Sequence, residues 1–283
     1  MQTGWPAPVY ILACTTQKRL GSGFRQCRKH AAVPGGWQLS HELSGEEKQM
    51  RPDLRKEQKS SGERARLRYS LAAKLFFMSM DLITGSGITL PKVKLIEILA
   101  SIPYRSWEIR QYTRMSRRYC DRGLVQEARK IIVWAREAQD NEYWHLLVVN
   151  RKMKEDGIKD PWYLFPPVPF IMVGFYAAVM YVMALVSIRS AFLFNAEFED
   201  HAEHVYAQFV EEHPEWERQP ADNAEVQELG ELPTWADVFR RIGLDERDHR
   251  NMSFVFCDKP ERLVHYDGMP EMAEKPGLTH SRH

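Results

Sequence analysis

The chain has 283 residues, of which 44% are hydrophobic and 27% are charged, and its net charge is +1. This length and composition are sufficient for one well-buried core with flanking tails. The balanced charge excludes a dedicated nucleic-acid-binding protein, so no nucleic-acid partner is expected. The four cysteines, at positions 14, 27, 120 and 257, form no C-x-x-C pair and are expected to be ordinary thiols.

The N-terminal region is basic and contains no acidic residue before Glu42. Because it also lacks the long apolar core of a secretory signal, its composition is typical of an organelle transit peptide, with a tail of no targeting role as the alternative. The polar residues 42–65 are expected to form a linker. The predicted organisation is a transit peptide and disordered linker at 1–65, a helical domain at 66–257 and a flexible tail at 258–283.

Hydrophobic periodicity predicts a series of helices from residue 66 onwards. The first helix should end at Gly85-Ser86-Gly87, the second should cover about 92–119, and the third about 124–154. A long fourth helix is expected to continue from the apolar stretch 166–188 to Pro214, followed by a polar loop at 218–232 and a last helix at about 233–254. An all-α protein is therefore predicted.

Two Glu-x-x-His pairs occur in these helices, and each follows a lone glutamate at nearly the same distance, 45 residues in one case and 47 in the other. The six residues are Glu97, Glu142, His145, Glu199, Glu246 and His249. Positions i and i+3 share a helix face, so each pair can direct one carboxylate and one imidazole to the same point. A short pair of this kind is expected about once by chance, so the order and spacing carry the argument. A four-helix bundle with this set holds two iron ions in the di-iron carboxylate proteins.

The stretch between Pro166 and Ile188 is apolar and long enough to span a bilayer. Because Glu199 follows eleven residues later, a full span would end almost at the metal site, so a helix seated in one leaflet fits better. The second helix mixes Trp107 and Tyr112 with several arginines, which is typical either of a membrane-surface element or of a solvated basic face. A buried helix of a soluble bundle is the alternative for the apolar stretch.

Four segments resemble the alternative oxidases, the cyanide-insensitive quinol oxidases of mitochondria, plastids and some bacteria. The segments are Ile96-Glu97 before Ile102-Pro103-Tyr104, Asn141-Glu142-Tyr143-Trp144-His145-Leu146-Leu147, Phe198-Glu199-Asp200-His201-Ala202 with Tyr206, and Asp245-Glu246-Arg247-Asp248-His249-Arg250. The resemblance covers about residues 92–254. It is closest to the plastid terminal oxidase branch, because mitochondrial members have Glu-Glu-Glu-Ala where this chain has Glu199-Asp200-His201-Ala202.

The resemblance implies a ferritin-like four-helix bundle with a di-iron centre and additional helices for monotopic membrane binding. It implies an enzyme that oxidises ubiquinol or plastoquinol and reduces dioxygen to water without pumping protons. By motif match, the six Glu and His residues above would be the iron ligands. The resemblance also implies a homodimer in a plastid thylakoid, mitochondrial inner or bacterial inner membrane.

Further roles are implied by the same resemblance. Tyr206 occupies the position of the family's tyrosine near the irons, a candidate radical or proton donor, and Asn141 and Asp245 would orient the adjacent ligands. The expected quinol pocket includes Lys92, Ile96 and Ala202. Lys92 stands where mitochondrial members have an arginine, and Leu229-Gly230 stands where an aromatic pair is usual.

Two other functions use the same residues. A di-iron hydroxylase of quinone biosynthesis would insert oxygen into its substrate with the same ligands. A non-catalytic, ferritin-like membrane subunit would bind metal without turnover. The sequence leaves open the choice between ubiquinol and plastoquinol and the choice of organelle.

Overall fold

The computed structural model describes residues 52–227 and 231–270. Within these residues the chain forms α-helices and three short 3-10 helices, and it contains no β-strand. The α-helices are α1 (Leu54–Glu63), α2 (Leu71–Thr84), α3 (Leu90–Arg118), α4 (Arg122–Glu155), α5 (Val168–Val186), α6 (Ile188–Glu212), α7 (Ala224–Gln227) and α8 (Trp235–Phe256). The all-α prediction is confirmed.

Four long helices, α3, α4, α6 and α8, form the bundle. The most extensive contacts are between α3 and α4 and between α6 and α8, while α5 packs on α3 and α1 packs on α6 and α8. Two groups of buried side chains fill the interior, one that includes Tyr104, Trp107 and Phe192 and one that includes Tyr206 and Phe239. The four bundle helices are those that carry the Glu and Glu-x-x-His residues, as predicted.

Side-chain caps fix the starts of the bundle helices. Asp121 accepts a hydrogen bond from Leu124 N (3.1 Å) at the start of α4, and Thr234 accepts one from Asp237 N (3.2 Å) at the start of α8. Such caps satisfy backbone N–H groups that have no partner within the helix.

Ser187 separates α5 from α6, where the sequence predicted one continuous helix. Its backbone is extended (φ −153°, ψ 102°), and its side chain accepts a hydrogen bond from Ser190 N (3.2 Å). Ser187 therefore ends α5 and caps α6 at the same position, and the prediction of a continuous helix is wrong.

Gly243 allows α8 to approach α6 closely. A Cβ atom at this position would lie 3.2 Å from Tyr206 Cβ and 3.7 Å from the Glu203 carbonyl oxygen. Because 3.2 Å is tighter than ordinary van der Waals contact, a side chain here would push against the Tyr206 segment of α6.

Two segments expected to be unstructured are packed against the bundle. Residues 54–63, assigned to the polar linker, form α1 with Glu57 and Ser61 buried. Within the expected flexible tail, Tyr266 donates a hydrogen bond to Asp248 Oδ2 (2.8 Å). Residues 54–63 are therefore helical where an unstructured linker was expected. Residues 1–51 of the predicted transit peptide and linker, Leu229-Gly230 and residues 271–283 lie outside the described residues.

Cys120 and Cys257 differ in state. Cys120, next to the end of α3, is disulfide-bonded, whereas Cys257 is a buried free thiol. The expectation of four ordinary thiols is therefore wrong for Cys120.

Apolar side chains project from α2 and α5 rather than packing inside. The exposed fractions are 72% for Leu71 and 88% for Leu82 on α2, and 72% for Phe170 and 71% for Phe175 on α5. Within the described part of the chain, α5 is the helix long and apolar enough to cross a membrane, and only 17% of its apolar window is buried. Trp107 of α3, expected either at the membrane surface or on a solvated basic face, is instead fully buried in the core.

Candidate metal centre

The six predicted ligand residues converge at the centre of the bundle. Glu97 comes from α3, Glu142 and His145 from α4, Glu199 from α6, and Glu246 and His249 from α8. All six are buried, and Glu142, His145 and Glu199 have no exposed surface. Residues more than 100 positions apart in the sequence thus meet at one point.

The six residues form two overlapping groups. In each group, one potential ligand atom from every residue lies within 4.8 Å of the others. One group is Glu97, Glu142, His145 and Glu246, and the other is Glu142, Glu199, Glu246 and His249. Because Glu142 and Glu246 belong to both groups, the geometry suits two adjacent cations that share two carboxylates.

Both imidazoles direct Nδ1 towards the shared carboxylates. His145 Nδ1 lies 3.1 Å from Glu246 Oε1 and 3.6 Å from Glu142 Oε2. His249 Nδ1 lies 2.9 Å from Glu142 Oε1 and 3.7 Å from Glu246 Oε2. The two rings therefore approach the centre from opposite ends of the carboxylate pair.

The donor set fits a pair of iron ions. Several buried atoms form no well-directed hydrogen bond, even where another polar atom lies close by; they are Glu97 Oε2, both Glu142 carboxylate oxygens, His145 Nδ1, Glu199 Oε2 and His249 Nδ1. Burying unsatisfied carboxylates is unfavourable unless a cation or hydrogen bonds compensate. Carboxylate oxygens with imidazole nitrogens are a combination that iron accepts.

The pKa values reflect this concentration of charge. Burial raises the pKa of Glu97 to about 8, and burial with repulsion from other carboxylates raises that of Glu199 well above its usual range. Burial opposes ionisation of Glu142 as well, but contacts with His145 and His249 outweigh it and lower the pKa to about 2. Two bound cations would neutralise this excess of carboxylates.

Polar side chains hold the outer ligands in place. Tyr206 OH donates a short hydrogen bond to Glu97 Oε1. Tyr104 OH donates to Glu199 Oε1 (2.7 Å), and Asn195 Nδ2 donates to the same oxygen (2.9 Å). Sequence reasoning missed the roles of Tyr104 and Asn195, although Tyr104 lies in one of the quoted segments and Asn195 lies one helical turn before Glu199.

The two residues expected to orient ligands differ in their contacts. Asp245 Oδ2 lies 3.4 Å from His145 Nε2, and Arg241 pairs with the other oxygen of Asp245. Asn141 lies with Asp245 and His249 on the wall of a groove of about 870 Å³ between α4 and α8, and its buried Oδ1 has no hydrogen-bond partner.

A cavity beside Glu97 and Tyr206 contains two of the three residues predicted for the quinol pocket. Ile96 and Ala202 line it together with Phe77 and His201, which sequence reasoning missed. The rings of Phe77 and His201 lie 4.3 Å apart at their centroids, and burial lowers the pKa of His201 to about 4. A neutral imidazole with an unpartnered buried Nδ1 therefore faces this region.

Lys92, the third predicted pocket residue, is one turn before Ile96 but is not part of the cavity lining. Its Nζ donates to Asp81 Oδ1 (2.5 Å) and to the Gly85 carbonyl oxygen (2.8 Å). Lys92 thus ties the start of α3 to the end of α2.

Comparison with known proteins identifies the family. No curated protein gives a significant match to the chain. The alternative oxidase family model matches residues 69–258, which include all four bundle helices and all six clustered residues. The chain therefore belongs to the alternative oxidase family, whose members are membrane-associated di-iron oxidoreductases that act on quinol and oxygen.

Proposed function

We propose that this protein is a membrane-bound quinol oxidase that oxidises ubiquinol or plastoquinol and reduces dioxygen to water without pumping protons. The observation that carries the proposal is the buried pair of overlapping Glu and His groups in a chain of the alternative oxidase family. In the balanced reaction, two quinols lose four electrons and four protons, and one dioxygen molecule becomes two waters.

The proposed ligands divide between two irons. Glu97 and His145 would bind one iron, Glu199 and His249 the other, and Glu142 and Glu246 would bind both. The iron pair would supply the oxygen binding and electron storage that protein side chains lack. Asp245 would keep His145 oriented, and Asn141, beside His249, has a free buried acceptor for a similar role.

Tyr206 is the proposed catalytic residue. Its phenol donates to Glu97, so the ring lies against the metal centre, and burial raises its pKa well above the usual range. The phenol therefore keeps its proton at Oη until the reaction takes it, and it can release a proton together with an electron.

The proposed quinol headgroup site is the cavity at Phe77, Ile96, His201 and Ala202. Its volume is about 20 Å³, so these side chains would have to move apart to admit a headgroup, and Lys92 lies outside the lining. Aromatic rings can stack on the flat headgroup, and His201 Nδ1 can accept a hydrogen bond from a quinol hydroxyl. α2 contributes Phe77 to this cavity and also presents exposed apolar residues, so a quinol with an apolar tail has a route from a bilayer.

The exposed apolar residues of α2 and α5 support attachment to one leaflet of the membrane. Resemblance to the family supports a homodimer, and the basic N-terminus supports import into a plastid or mitochondrion, with a thylakoid or mitochondrial inner membrane as destination. The proposed domain limits are 66–257 for the catalytic unit, with the flanking segments outside it.

Purified protein in detergent should consume oxygen in proportion to added quinol and should contain two irons per chain. Glu142→Ala should abolish both properties, because it removes a buried ligand shared by both iron positions. Glu137→Ala, a change at an exposed glutamate of the same helix, is the matched control and should behave as wild type. Full activity in Glu142→Ala would disprove the ligand assignment.

The same measurement separates the alternatives. A hydroxylase of quinone biosynthesis would insert oxygen into its own substrate and would leave simple quinols unoxidised. A non-catalytic subunit would contain iron without quinol-dependent oxygen uptake.

A further inference from the structure

Three acidic residues of α6 are buried but do not belong to the six clustered residues. Glu197 is 3% exposed, and Asp200 and Glu203 have no exposed surface. Buried carboxylates require hydrogen bonds or cations. Their partners come in large part from residues 54–70, which comprise α1 and the segment that follows it and are called the strap here.

The strap follows α6 in the reverse direction. Ser61 Oγ donates to Glu203 Oε1 (2.7 Å), the Leu67 amide donates to Asp200 Oδ2 (3.2 Å), and the Ser70 amide donates to Glu197 Oε1 (3.0 Å). As residue numbers rise along the strap, the residue numbers of the α6 partners fall, so each acidic residue contacts a different segment of the strap. The strap is therefore held along about two turns of α6.

The strap also holds α8 through Arg247. This arginine is fully buried and makes four hydrogen bonds, of which one is to Glu203 and three are to the Glu57 carboxylate, the Glu57 carbonyl oxygen and Ser61 Oγ. Without α1, a buried guanidinium would keep one of its four hydrogen bonds. A buried guanidinium that has lost most of its hydrogen bonds is strongly destabilising, so α8 would shift or rotate to expose Arg247 to solvent.

The position of Arg247 connects the strap to the proposed ligands. It follows Glu246 directly and precedes His249 by two residues, while Glu203 lies one turn after Glu199. Movement of Arg247 or Glu203 therefore moves ligands on two helices at once. Residues 54–68 precede the part of the chain that the family match covers.

We propose that the strap is a positioning element of the metal centre, with Glu57 and Arg247 as its key pair. The proposal rests on the proposed function, because it takes Glu199, Glu246 and His249 as iron ligands. It implies that the mature chain begins before Asp53, whose carboxylate caps α1 by accepting hydrogen bonds from the amides of Arg55 and Lys56 (3.1 Å each). Cleavage of a transit peptide between Glu57 and Ser70 would remove Glu57 and leave Arg247 without that partner.

The test uses the iron-loaded full-length chain. Glu57→Gln keeps the size of the side chain but removes the charge that pairs with Arg247, and Glu57→Ala removes the group entirely. Loss of a group bonded directly to a ligand typically reduces metal affinity by about 10- to 100-fold. Glu57 acts through Arg247, so iron should pass to a competing chelator about tenfold more readily, the lower end of that range. The electron paramagnetic resonance spectrum of the one-electron-reduced centre should change as well.

The matched control is Glu63→Gln on the same helix, since Glu63 is 70% exposed and its ion pair is with Lys59 (3.7 Å). The control should retain iron as the wild type does. Glu57 variants that retain iron and the wild-type spectrum, whether or not their melting temperature falls, would overturn the proposal. Loss of helical circular dichroism in both Glu57 variants would assign the strap to folding alone, which overturns it equally. The iron content of the wild-type protein is measured before that of any variant, because wild-type protein that binds no iron would contradict the proposed function itself.

Discussion

At the residue scale, two tyrosines contact opposite ends of the candidate metal centre. Tyr206 donates to Glu97 and Tyr104 donates to Glu199, and burial raises the pKa of both phenols well above the usual range. Only Tyr206 also borders the cavity proposed for quinol. The phenol of Tyr206 is therefore the one that adjoins both the metal centre and the proposed quinol site.

Tyr206→Phe should keep iron and fold normally but lose most quinol-dependent oxygen consumption, at least about tenfold. Phenylalanine fills the same space without the hydroxyl that gives a proton and an electron. Iron per chain and oxygen uptake are the measurements. Tyr176→Phe is the control, because it removes a buried hydroxyl that has no hydrogen-bond partner. Wild-type turnover in Tyr206→Phe would mean that the hydroxyl only supports Glu97 and takes no part in the reaction.

The positions of the clustered Glu and His residues could be predicted because their spacing within a helix determines the face they share. Asn195 lies four residues before Glu199 on the same helix, so the same spacing argument applies to it, although its role was missed. Tyr104, Phe77 and His201 reach the centre or the cavity through the packing of helices that are distant in sequence, and a lone Tyr or His on an apolar face is ordinary in a core. Their roles depend on tertiary contacts that periodicity does not contain.

At the element scale, periodicity predicted the apolar faces but not what covers them. The α2 face with Leu75 and Met78 has the pattern of a core helix, yet these side chains are 56% and 65% exposed. Trp107 lies among arginines, yet it is fully buried. An apolar stripe looks the same whether protein or lipid covers it, so only the packed structure distinguishes the two.

Replacing two exposed rings of α5, as in Phe170→Asp with Phe175→Asp, should weaken binding to lipid vesicles without loss of fold. Burying one phenylalanine side chain contributes about 2 kcal/mol, so the double variant should bind at least about tenfold more weakly. Vesicle co-sedimentation measures the change. Tyr143→Asp on α4, where the ring is 54% exposed, is the control. Equal binding by the double variant and the control would contradict the assignment of α5 to the membrane.

The contact between α3 and α4 includes a buried carboxylate with a shifted pKa. Burial opposes ionisation of Glu108, but hydrogen bonds from Tyr112, Arg136 and Arg105 outweigh it and lower the pKa from 4.5 to about 2. A lowered pKa in the folded state contributes stability that is fully present above pH 4.5 and is lost as the pH falls through about 2.

Glu108→Gln should therefore reduce the free energy of unfolding near neutral pH by about 1–2 kcal/mol, because it removes charge-assisted hydrogen bonds whose arginine partners are largely solvated. The difference from wild type should shrink as the pH is lowered from 4.5 towards about 2. Urea unfolding at a series of pH values measures both quantities. A difference that stays constant over this range would exclude the Glu108 carboxylate as its source.

At the scale of the whole molecule, the bundle and its order of helices were predicted, whereas the packing of the flanking segments was not. Residues 54–63 and 258–270 are polar, and polar composition indicates a solvated linker. They pack because charged groups pair across long sequence separations, as Glu57 does with Arg247, and because Tyr266 bonds to Asp248. Such pairs do not change local hydrophobicity, so a hydrophobicity pattern cannot predict that these segments pack.

The two ends of the described chain meet on the surface, since Lys56 Nζ lies 3.1 Å from Asp267 Oδ2. If the protein sits in one leaflet, both ends and the loop after α4 should lie on the same side of the membrane. Lys56→Cys, Lys159→Cys and Asp267→Cys in sealed vesicles should then react alike with an impermeant thiol reagent. Opposite reactivity at positions 159 and 267 would establish that α5 spans the bilayer.

The close approach at Gly243 bears on how much change the chain can tolerate. A library of all substitutions at position 243, selected for oxygen consumption, should return glycine and few alanines, because even a methyl group meets Tyr206 at 3.2 Å. A library at Gly174, where a Cβ would meet nothing within 4 Å, should return many residues. Variation in this protein is thus limited at a residue that has no side chain, because its backbone sets the place of the phenol beside the metal centre.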